Sequence, residues 1–310
     1  MKPKKILLTG GTGLVGKNFL DLTARSDIRV LAPNRSSLDL SDFDEVNNWI
    51  SREKPDAIIH AAGLVGGIQA NLANPVAFLV ENTDLARNVI LAARRNGIKY
   101  LINLGSSCIY PKAAPNPLTE DSLLTGPLEP TNEGYALAKL FAVKLCSYIR
   151  LQDQTKFYKT LIPCNLFGKY DKFDPHNSHL IPAIIHKTHE AKKNQATSVE
   201  IWGDGSARRE FMYAGDFARI IQLALENIEE IPDIMNVGTG QDYSINEYYE
   251  CVSSVVGFNG KFLHNTDKPV GMNRKIVDIS LQKKLGWTNL MPLEEGVSET
   301  YAYYLEELNK

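Results

Sequence analysis

Tyr135 and Lys139 form a Tyr-x-x-x-Lys motif. On a helix this spacing places both side chains on one face, one turn apart. An ammonium group beside a phenol favours the phenolate, so we expect the tyrosine pKa to fall from about 10 toward the working range. Ser106 lies in a Gly-Ser-Ser sequence that ends an earlier predicted strand, and its hydroxyl can donate to the same substrate oxygen. These residues predict proton transfer at an oxygen atom.

A glycine-rich sequence, Thr9–Gly16, follows the first predicted strand and opens the first predicted helix. Gly10 permits a tight turn, Gly13 lets the backbone approach a pyrophosphate, and Gly16 allows close packing of helix on strand. The helix N-terminus adds free N–H groups and a positive dipole end. We therefore predict a dinucleotide site, where hydride transfer to or from a nicotinamide accompanies proton transfer by Tyr135.

The end of the second predicted strand bears on which dinucleotide binds. NAD sites usually place a carboxylate there for the ribose 2′-hydroxyl, but the sequence after Leu31 reads Ala-Pro-Asn-Arg, with no carboxylate before Asp39. The guanidinium of Arg35 can instead pair with a 2′-phosphate. The sequence favours NADP over NAD.

Short apolar runs alternate with helical patterns in the first half of the chain. The predicted strands are Lys5–Thr9, Arg29–Leu31, Ala57–Ala62, Tyr100–Gly105 and Lys159–Pro163. The predicted helices between them are Gly16–Arg25, Asp42–Glu53, Pro75–Asn96 and Gly134–Leu151. This alternation predicts an α/β fold with a doubly wound parallel-sheet Rossmann domain.

After Phe167 the sequence becomes polar and rich in turns, and further helices and strands follow without an obvious linker. We expect a smaller mixed α/β substrate domain, with the chain crossing between the domains more than once. The predicted cofactor domain comprises residues 1–168 plus about 213–240. The predicted substrate domain comprises about 169–212 plus 241–310.

Charge and composition exclude several classes of protein. The 310 residues include 34 Lys+Arg and 36 Asp+Glu, a formal charge of −2, which argues against nucleic-acid binding. The four cysteines, Cys108, Cys146, Cys164 and Cys251, lack zinc-site spacing, so no metal is expected. Neither a signal peptide nor an 18-residue apolar span is found, so we expect a cytoplasmic protein without membrane contact.

Several longer stretches resemble the extended short-chain dehydrogenase/reductases, in the branch of NAD-dependent epimerases/dehydratases that modify nucleotide sugars. Within that branch the chain is most similar to the GDP-fucose synthases, which are 3,5-epimerase/4-reductases of GDP-4-keto-6-deoxymannose. The stretches that match are Val65–Asn71, Leu104–Lys112, Leu128–Glu133, Tyr135–Lys139, Asn177–Pro182, Arg209–Phe211, Arg274–Asp278 and Leu285–Trp287.

The resemblance implies a Ser106–Tyr135–Lys139 triad, with Cys108 and His179 as the base and acid of epimerisation. Protons on C3 and C5 flank a C4 ketone, so each can leave to give an enolate that Ser106 and Tyr135 would stabilise. Cys108 would remove a proton and His179 would return one on the other face, both with pKa values near neutrality. NADPH would then reduce C4. Taken alone, Cys108 is typical of a small buried hydrophobe and His179 of a structural histidine.

The resemblance also implies ligands, a partner and an assembly. The implied cofactor ligands are Gly10, Gly13, Leu14, Val15, Gly16, Arg35, Asp39, Leu40, Ala62, Tyr135, Lys139, Pro163, Asn165, Leu166 and His179. The implied ligands of the GDP-linked 4-keto-6-deoxy sugar are Ser107, Cys108, Asn165, Lys187, Trp202, Arg209 and Lys275. A homodimer is expected, formed through the two long helices at Pro75–Asn96 and Gly134–Leu151.

Two departures from the family pattern keep alternatives open. Thr12 stands where many members have an arginine that helps to hold the NADP phosphate, and His186-Lys187 stands where paired arginines are usual. An ammonium does not reproduce a bidentate guanidinium contact, so the sugar can differ, for example a 6-deoxy-heptose. The alternatives are a C4-reductase without epimerase activity, an NAD-dependent sugar-nucleotide 4-epimerase and a non-catalytic dinucleotide sensor.

Overall fold

The computed structural model describes residues 3–174, 178–267 and 272–309. Its strands are β1 (Lys5–Thr9), β2 (Arg29–Leu31), β3 (Ala57–His60), β4 (Tyr100–Leu104), β5 (Phe157–Pro163), β6 (Asn165–Phe167), β7 (Ser198–Trp202), β8 (Arg208–Arg209), β9 (Phe211–Tyr213), β10 (Ile234–Val237), β11 (Tyr243–Ser244), β12 (Lys261–Asn265) and β13 (Arg274–Lys275). Its α-helices are α1 (Leu14–Thr23), α2 (Phe43–Glu53), α3 (Ile68–Ala73), α4 (Pro75–Arg95), α5 (Glu133–Gln152), α6 (Leu180–Lys193), α7 (Ala214–Glu226), α8 (Ile245–Val256), α9 (Ser280–Lys284) and α10 (Leu293–Leu308).

Six of these strands form a parallel sheet in the order β2-β1-β3-β4-β5-β10. In β1 the side chains alternate between two cores, with Ile6 and Leu8 facing one layer and Leu7 the other. Helices α1 and α7 pack together on one side, and α4 packs against both α2 and α5 on the other. The sheet is therefore covered on both faces, which confirms the doubly wound α/β fold.

The sheet winds in opposite directions from β1, because β2 lies on one side of it and β3 on the other. In open parallel sheets, ligands bind beyond the carboxyl ends of the strands at such a reversal. The glycine-rich loop follows β1 at this point, and Ala61 and Ala62 follow β3. The strand order therefore indicates that a dinucleotide would bind in the crevice between the ends of β1 and β3.

The boundaries depart modestly from the sequence-based prediction. Strand β3 ends at His60 rather than Ala62, because the backbone N–H of Ala62 donates to the hydroxyl of Thr9 (3.2 Å) instead of continuing the ladder. Helix α1 begins at Leu14 rather than Gly16, and α3 was not predicted. Helix α4 ends at Arg95, one residue before the predicted end, and Gly97 follows it with φ +73°, a conformation that favours glycine.

The remaining elements form a third core beside the sheet. This core contains apolar side chains from α6, α8 and α10, packed with residues of β7 and β9. Strand β12 pairs in parallel with β7, and β8 lies between β11 and β13. The register of β8 and β13 places Lys275 opposite Arg209. Among the described helices, none is long and apolar enough to cross a membrane.

Candidate active site

A cavity of about 1230 Å³ opens at the carboxyl edge of the sheet. Its lining includes the glycine-rich loop, the segments that follow β2, β3 and β4, the start of α5, and residues of β8, β13 and α10. Every cofactor and catalytic residue proposed from the sequence lines this one cavity. Of the substrate-binding candidates, Ser107, Cys108, Asn165, Arg209 and Lys275 also line it.

The glycine-rich loop leaves no space for side chains where it turns. Gly10 has φ +74°, and a Cβ there would lie 2.7 Å from the backbone carbon of Ala61. A Cβ on Gly16 would overlap the carbonyl of Gly10. Helix α1 starts after Gly13 without a side-chain cap, so its first N–H groups are left for a ligand. This geometry fits a dinucleotide pyrophosphate.

The rim of the cavity beyond β2 carries Arg35 and Asp39, the two residues considered as ligands of the adenosine ribose. Arg35 is exposed there, and Asn34 orders the turn by accepting hydrogen bonds from Ser36 and Ser37. Hydrogen bonds from Ser41 lower the pKa of Asp39, and the charge of Arg35 contributes in the same direction. An adenosine ribose at this rim would therefore meet a guanidinium and an ionised carboxylate.

Ser106, Tyr135 and Lys139 converge where β4 ends beside α5. Ser106 begins a short 3-10 turn, and its hydroxyl accepts from the backbone N–H of Cys108 (3.4 Å). Lys139 Nζ donates to the carbonyl of Leu104 (3.0 Å) and lies 5.7 Å from the centre of the Tyr135 ring. The carbonyl anchors the ammonium beneath the phenol, so the helical spacing brings these groups together as expected.

The expectation that Lys139 lowers the pKa of Tyr135 is wrong for this structure. Burial raises the pKa of Tyr135, the nearby Cys108 raises it further, and only a hydrogen bond from Ser106 acts in the opposite direction. Burial also lowers the pKa of Lys139 to about 8. The spacing identified the neighbours, but desolvation is the largest influence on both pKa values.

The pKa values of Cys108 and His179 are shifted away from neutrality, contrary to the expectation from the family resemblance. Burial raises the pKa of the Cys108 thiol, against the opposing influence of Lys275, Ser106 and Lys139. His179 precedes α6 with its ring open to the cavity; desolvation by the surrounding protein lowers its pKa, and the charge of Lys172 lowers it further. Both groups are thus neutral at pH 7, with a proton on the thiol.

A buried carboxylate, Glu210, holds together the side of the cavity that carries Arg209 and Lys275. Its side chain accepts from the backbone N–H groups of Thr239 (2.7 Å), Gly240 (2.7 Å) and Val277 (2.9 Å). Its own carbonyl accepts from the side chain of Asn165 (2.9 Å). Glu210 therefore ties the backbone that flanks Arg209 to the strand that carries Lys275.

Arg209 and Lys275 supply positive charge from β8 and β13. Burial lowers the pKa of both residues, and the charge of Glu129, which also lines the cavity, raises both. Two cations facing one cavity can neutralise a diphosphate. The sequence predicts both cations as ligands but does not reveal the role of Glu210, although this residue lies in the matching stretch Arg209–Phe211.

Lys187 and Trp202 lie apart from the residues that line this cavity. Lys187 Nζ lies 5.7 Å from the centre of the Trp202 ring, and it donates to the carbonyl of Glu200 (3.4 Å). Asn177, in one of the matching stretches, lies outside the described residues. No group of three or more His, Cys, Asp or Glu that could hold a metal ion occurs in the described parts of the chain.

Comparisons with known proteins agree with this geometry. The model of the NAD dependent epimerase/dehydratase family matches residues 6–238. The chain is 52% identical to GDP-L-colitose synthase of Yersinia pseudotuberculosis (98% of this chain, 99% of that one) and 50% identical to GDP-L-fucose synthase of Azorhizobium caulinodans (98% and 97%). It superimposes with a TM-score of 0.89 on MlghC, a GDP-mannoheptose C4 reductase from Campylobacter jejuni with NADP bound, at 30% identity (98% and 99% covered).

Proposed function

The chain belongs to the NAD dependent epimerase/dehydratase family, and from this premise we propose that it is an NADPH-dependent epimerase/reductase of a GDP-linked 4-keto-6-deoxy sugar. The observation behind this proposal is that one cavity contains the dinucleotide loop, the Ser106–Tyr135–Lys139 group and the pair Cys108 and His179. Relatives of about half identical sequence are named as GDP-sugar synthases, which supports a GDP-linked substrate.

The residues that would hold NADP line the crevice between β1 and β3. The N-terminus of α1 and the close turn at Gly10 and Gly16 would hold its pyrophosphate, and Arg35 would bind its 2′-phosphate. The other cavity residues proposed as cofactor ligands are Gly13, Leu14, Val15, Asp39, Leu40, Ala62, Tyr135, Lys139, Pro163, Asn165, Leu166 and His179. When bound, NADPH supplies the hydride that reduces C4.

For the reduction, Tyr135 donates its proton to the C4 oxygen. Its raised pKa keeps the phenol protonated, as a proton donor requires, and Ser106 donates a second hydrogen bond to the same oxygen. Lys139 holds positive charge beside the phenol as negative charge develops there, since its ammonium is fixed on the carbonyl of Leu104. Lys139 is buried and the other two side chains are partly buried, which limits the access of water to this group.

For the epimerisation, Cys108 and His179 exchange protons with carbons next to the C4 ketone. The neutral thiol and neutral imidazole together hold the same number of protons as a thiolate and an imidazolium. Cys108 therefore becomes a base when its proton has passed to His179, and Lys275 and Lys139 stabilise the thiolate. Ser106 and Tyr135 stabilise the enolate by donating to its oxygen.

The GDP moiety lies along the cations of the third core. Arg209 and Lys275 neutralise the diphosphate, and Asn165 and Ser107 line the same space. Lys187 and Trp202 lie together outside the cavity lining, where a base can stack on the exposed indole. In this arrangement residues 1–168 plus about 213–240 form the cofactor domain, and about 169–212 plus 241–310 form the substrate domain.

A homodimer is part of the proposal. Helices α4 and α5 pack side by side and expose the apolar side chains Val76, Val80, Leu137, Phe141, Tyr148 and Leu151. Exposed apolar side chains along two adjacent helices are typical of a surface that pairs with a copy of itself. Sedimentation should give a dimer for the native chain and for the control Leu263→Glu, and a monomer for Phe141→Glu. A native monomer would contradict this part.

The test of the function is product identification. Enzyme, NADPH and GDP-4-keto-6-deoxymannose should yield NADP and a C4-reduced sugar inverted at C3, C5 or both, as NMR couplings will show. The raised pKa of Cys108 and the similarity to a C4 reductase favour a second candidate, reduction without epimerisation, on a GDP-4-keto-6-deoxy-heptose. A reduced product with unchanged C3 and C5 identifies this second candidate, and no NADPH oxidation with either sugar contradicts both.

A further inference from the structure

Buried side-chain oxygens without hydrogen-bond partners are concentrated at the cavity. Among the described residues, cavity-lining Asn71, Glu129, Asn132 and Asp171 each have one such oxygen. A buried polar atom without a partner costs free energy, so these atoms call for an explanation. Glu129 has Lys112 Nζ 3.3 Å away, and burial raises the pKa of Asp171 to about 7, which leaves the oxygens of the two neutral amides, Asn71 and Asn132, to be explained.

The two amides belong to elements that touch. Asn71 lies in α3, which packs against the 3-10 turn Pro130–Asn132 that leads into α5. The side-chain N–H₂ of Asn71 donates to the carbonyls of Gly66 (2.9 Å) and Gly67 (3.0 Å), which fixes the direction of its oxygen. Asn71 is only 5% exposed, so its acceptor is rigid and desolvated.

Asn132 occupies a position where its side chain would normally cap a helix. It is the N-cap residue of α5, and asparagine is among the residues preferred there because its oxygen accepts from the first N–H groups. In this structure it makes no such hydrogen bond, and its oxygen is buried. Asn132 also precedes Tyr135 by three residues, so the two occupy the N-cap and N3 positions of α5, whose side chains lie close together at the start of a helix.

We propose that Asn71 and Asn132, the acceptor pair, accept hydrogen bonds from the hydroxyls of the sugar ring. This inference rests on the proposed function. A GDP-4-keto-6-deoxyhexose has two free hydroxyls, because C1 bears the phosphate, C4 is a ketone, C5 is linked through the ring oxygen and C6 is a methyl group. The two donors on C2 and C3 match the two acceptors in number.

The position of Asn132 assigns it to one hydroxyl. Tyr135 donates to the C4 oxygen, and of the two carbons next to C4 only C3 carries a hydroxyl. The acceptor beside Tyr135 therefore binds the C3 hydroxyl, and Asn71 binds the C2 hydroxyl. The acceptor pair thus selects sugars that keep the C3 hydroxyl over 3-deoxy sugars, since a buried acceptor that loses its donor penalises the analogue.

The test compares two substrates, GDP-4-keto-6-deoxymannose and its 3-deoxy counterpart, by kcat/KM for NADPH oxidation. The native enzyme should prefer the hydroxylated sugar by about 10-fold or more. Asn132→Ala should lose about 10-fold on that sugar and little on the 3-deoxy sugar. Asn48→Ala, a surface change on α2, should behave as the native enzyme with both.

The substrate comparison in the native enzyme does not depend on the folding of any variant. Equal or better use of the 3-deoxy sugar by the native enzyme overturns the inference. An equal loss on both sugars in Asn132→Ala overturns it as well. Absence of NADPH oxidation with either sugar contradicts the proposed function itself, so the two failures are distinguishable.

Discussion

The two halves of the cavity are built in different ways. The cofactor half comes mainly from one continuous segment, β1, the glycine-rich loop and α1, whose shape follows from backbone geometry at Gly10 and Gly16. The sugar half is assembled from distant segments, and the buried carboxylate Glu210 joins three of them. Local sequence therefore specifies the first half, whereas the second depends on buried polar contacts between remote residues.

Removal of the Glu210 side chain should give the largest loss of stability, because this side chain joins three segments of the sugar half. The cofactor half should stay intact. Glu210→Ala leaves the buried N–H of Val277 and the partly buried N–H groups of Thr239 and Gly240 without an acceptor. A buried donor without a partner costs about 1–3 kcal/mol and a partly buried one less, so we expect a loss of about 2–3 kcal/mol in the free energy of unfolding. In Glu210→Gln one oxygen remains for Thr239 and Gly240, so a smaller loss is expected. Denaturant unfolding measures both, and the exposed Glu250→Ala is the matched control.

Kinetics of the same variants sharpen the comparison. Glu210→Gln should raise KM for the GDP-sugar, because Arg209 and Lys275 lose their alignment, while the Kd for NADPH stays close to the native value. Equal weakening of cofactor and sugar binding would contradict the separation of the two halves.

His60 gives a pH-dependent test of the cofactor half. It is buried at the end of β3, where its Nδ1 lies 3.0 Å from the Thr9 hydroxyl, and burial, with a smaller influence of Lys139, lowers its pKa to about 3. The unfolded chain binds this proton near pH 6.5, so the folded state loses stability as pH falls from about 6.5 toward 3.

Between pH 7 and pH 5, the native protein should lose about 2 kcal/mol more of its free energy of unfolding than His60→Asn, which keeps an acceptor for Thr9 but does not titrate. Parallel pH profiles for the two proteins would show that His60 is not held neutral. Urea unfolding at the two pH values provides the comparison.

Glycine substitutions separate backbone strain from steric overlap in the loop. Gly10 and Gly97 have nearly the same φ, +74° and +73°, but a Cβ on Gly97 meets nothing within 4 Å. Gly97→Ala should therefore cost about 1 kcal/mol from its left-handed conformation alone. Gly10→Ala should lose more stability than Gly97→Ala and should also weaken NADPH binding, which fluorescence titration can measure. Equal stability losses in the two variants, with NADPH affinity unchanged in Gly10→Ala, would refute the steric overlap between a Cβ on Gly10 and the backbone of Ala61.

The smallest change in kinetics is expected for Lys187, which lies outside the cavity lining. Lys187→Ala should raise KM for the GDP-sugar by less than about fivefold with unchanged kcat, because its ammonium is only partly buried and lies outside the cavity lining. Arg209→Ala should raise it by more, since that guanidinium lines the cavity. A larger effect of Lys187 would mean that the nucleotide binds mainly outside the cavity.

The difference between features set by local sequence and features set by contacts between remote residues also explains which parts of the structure the sequence predicts well. The parallel sheet, the long helices α4 and α5 and the loop glycines follow from short-range periodicity and spacing, and the structure has them close to the predicted boundaries. The role of Glu210, the unused cap at Asn132 and the raised pKa of Tyr135 arise from contacts or burial created only by folding. Short-range patterns contain no information about such contacts.

In the proposed reaction one cavity performs both proton exchange at carbon and reduction at C4, and solvent exchange measures the first of these steps separately from the second. GDP-4-keto-6-deoxymannose is incubated in deuterated water without NADPH, and the C3 and C5 protons are followed by NMR. The native enzyme should introduce deuterium at one or both carbons, while Cys108→Ala should not, although it should still oxidise NADPH with the same ketone. No exchange by the native enzyme, or equal exchange by Cys108→Ala, would contradict the account.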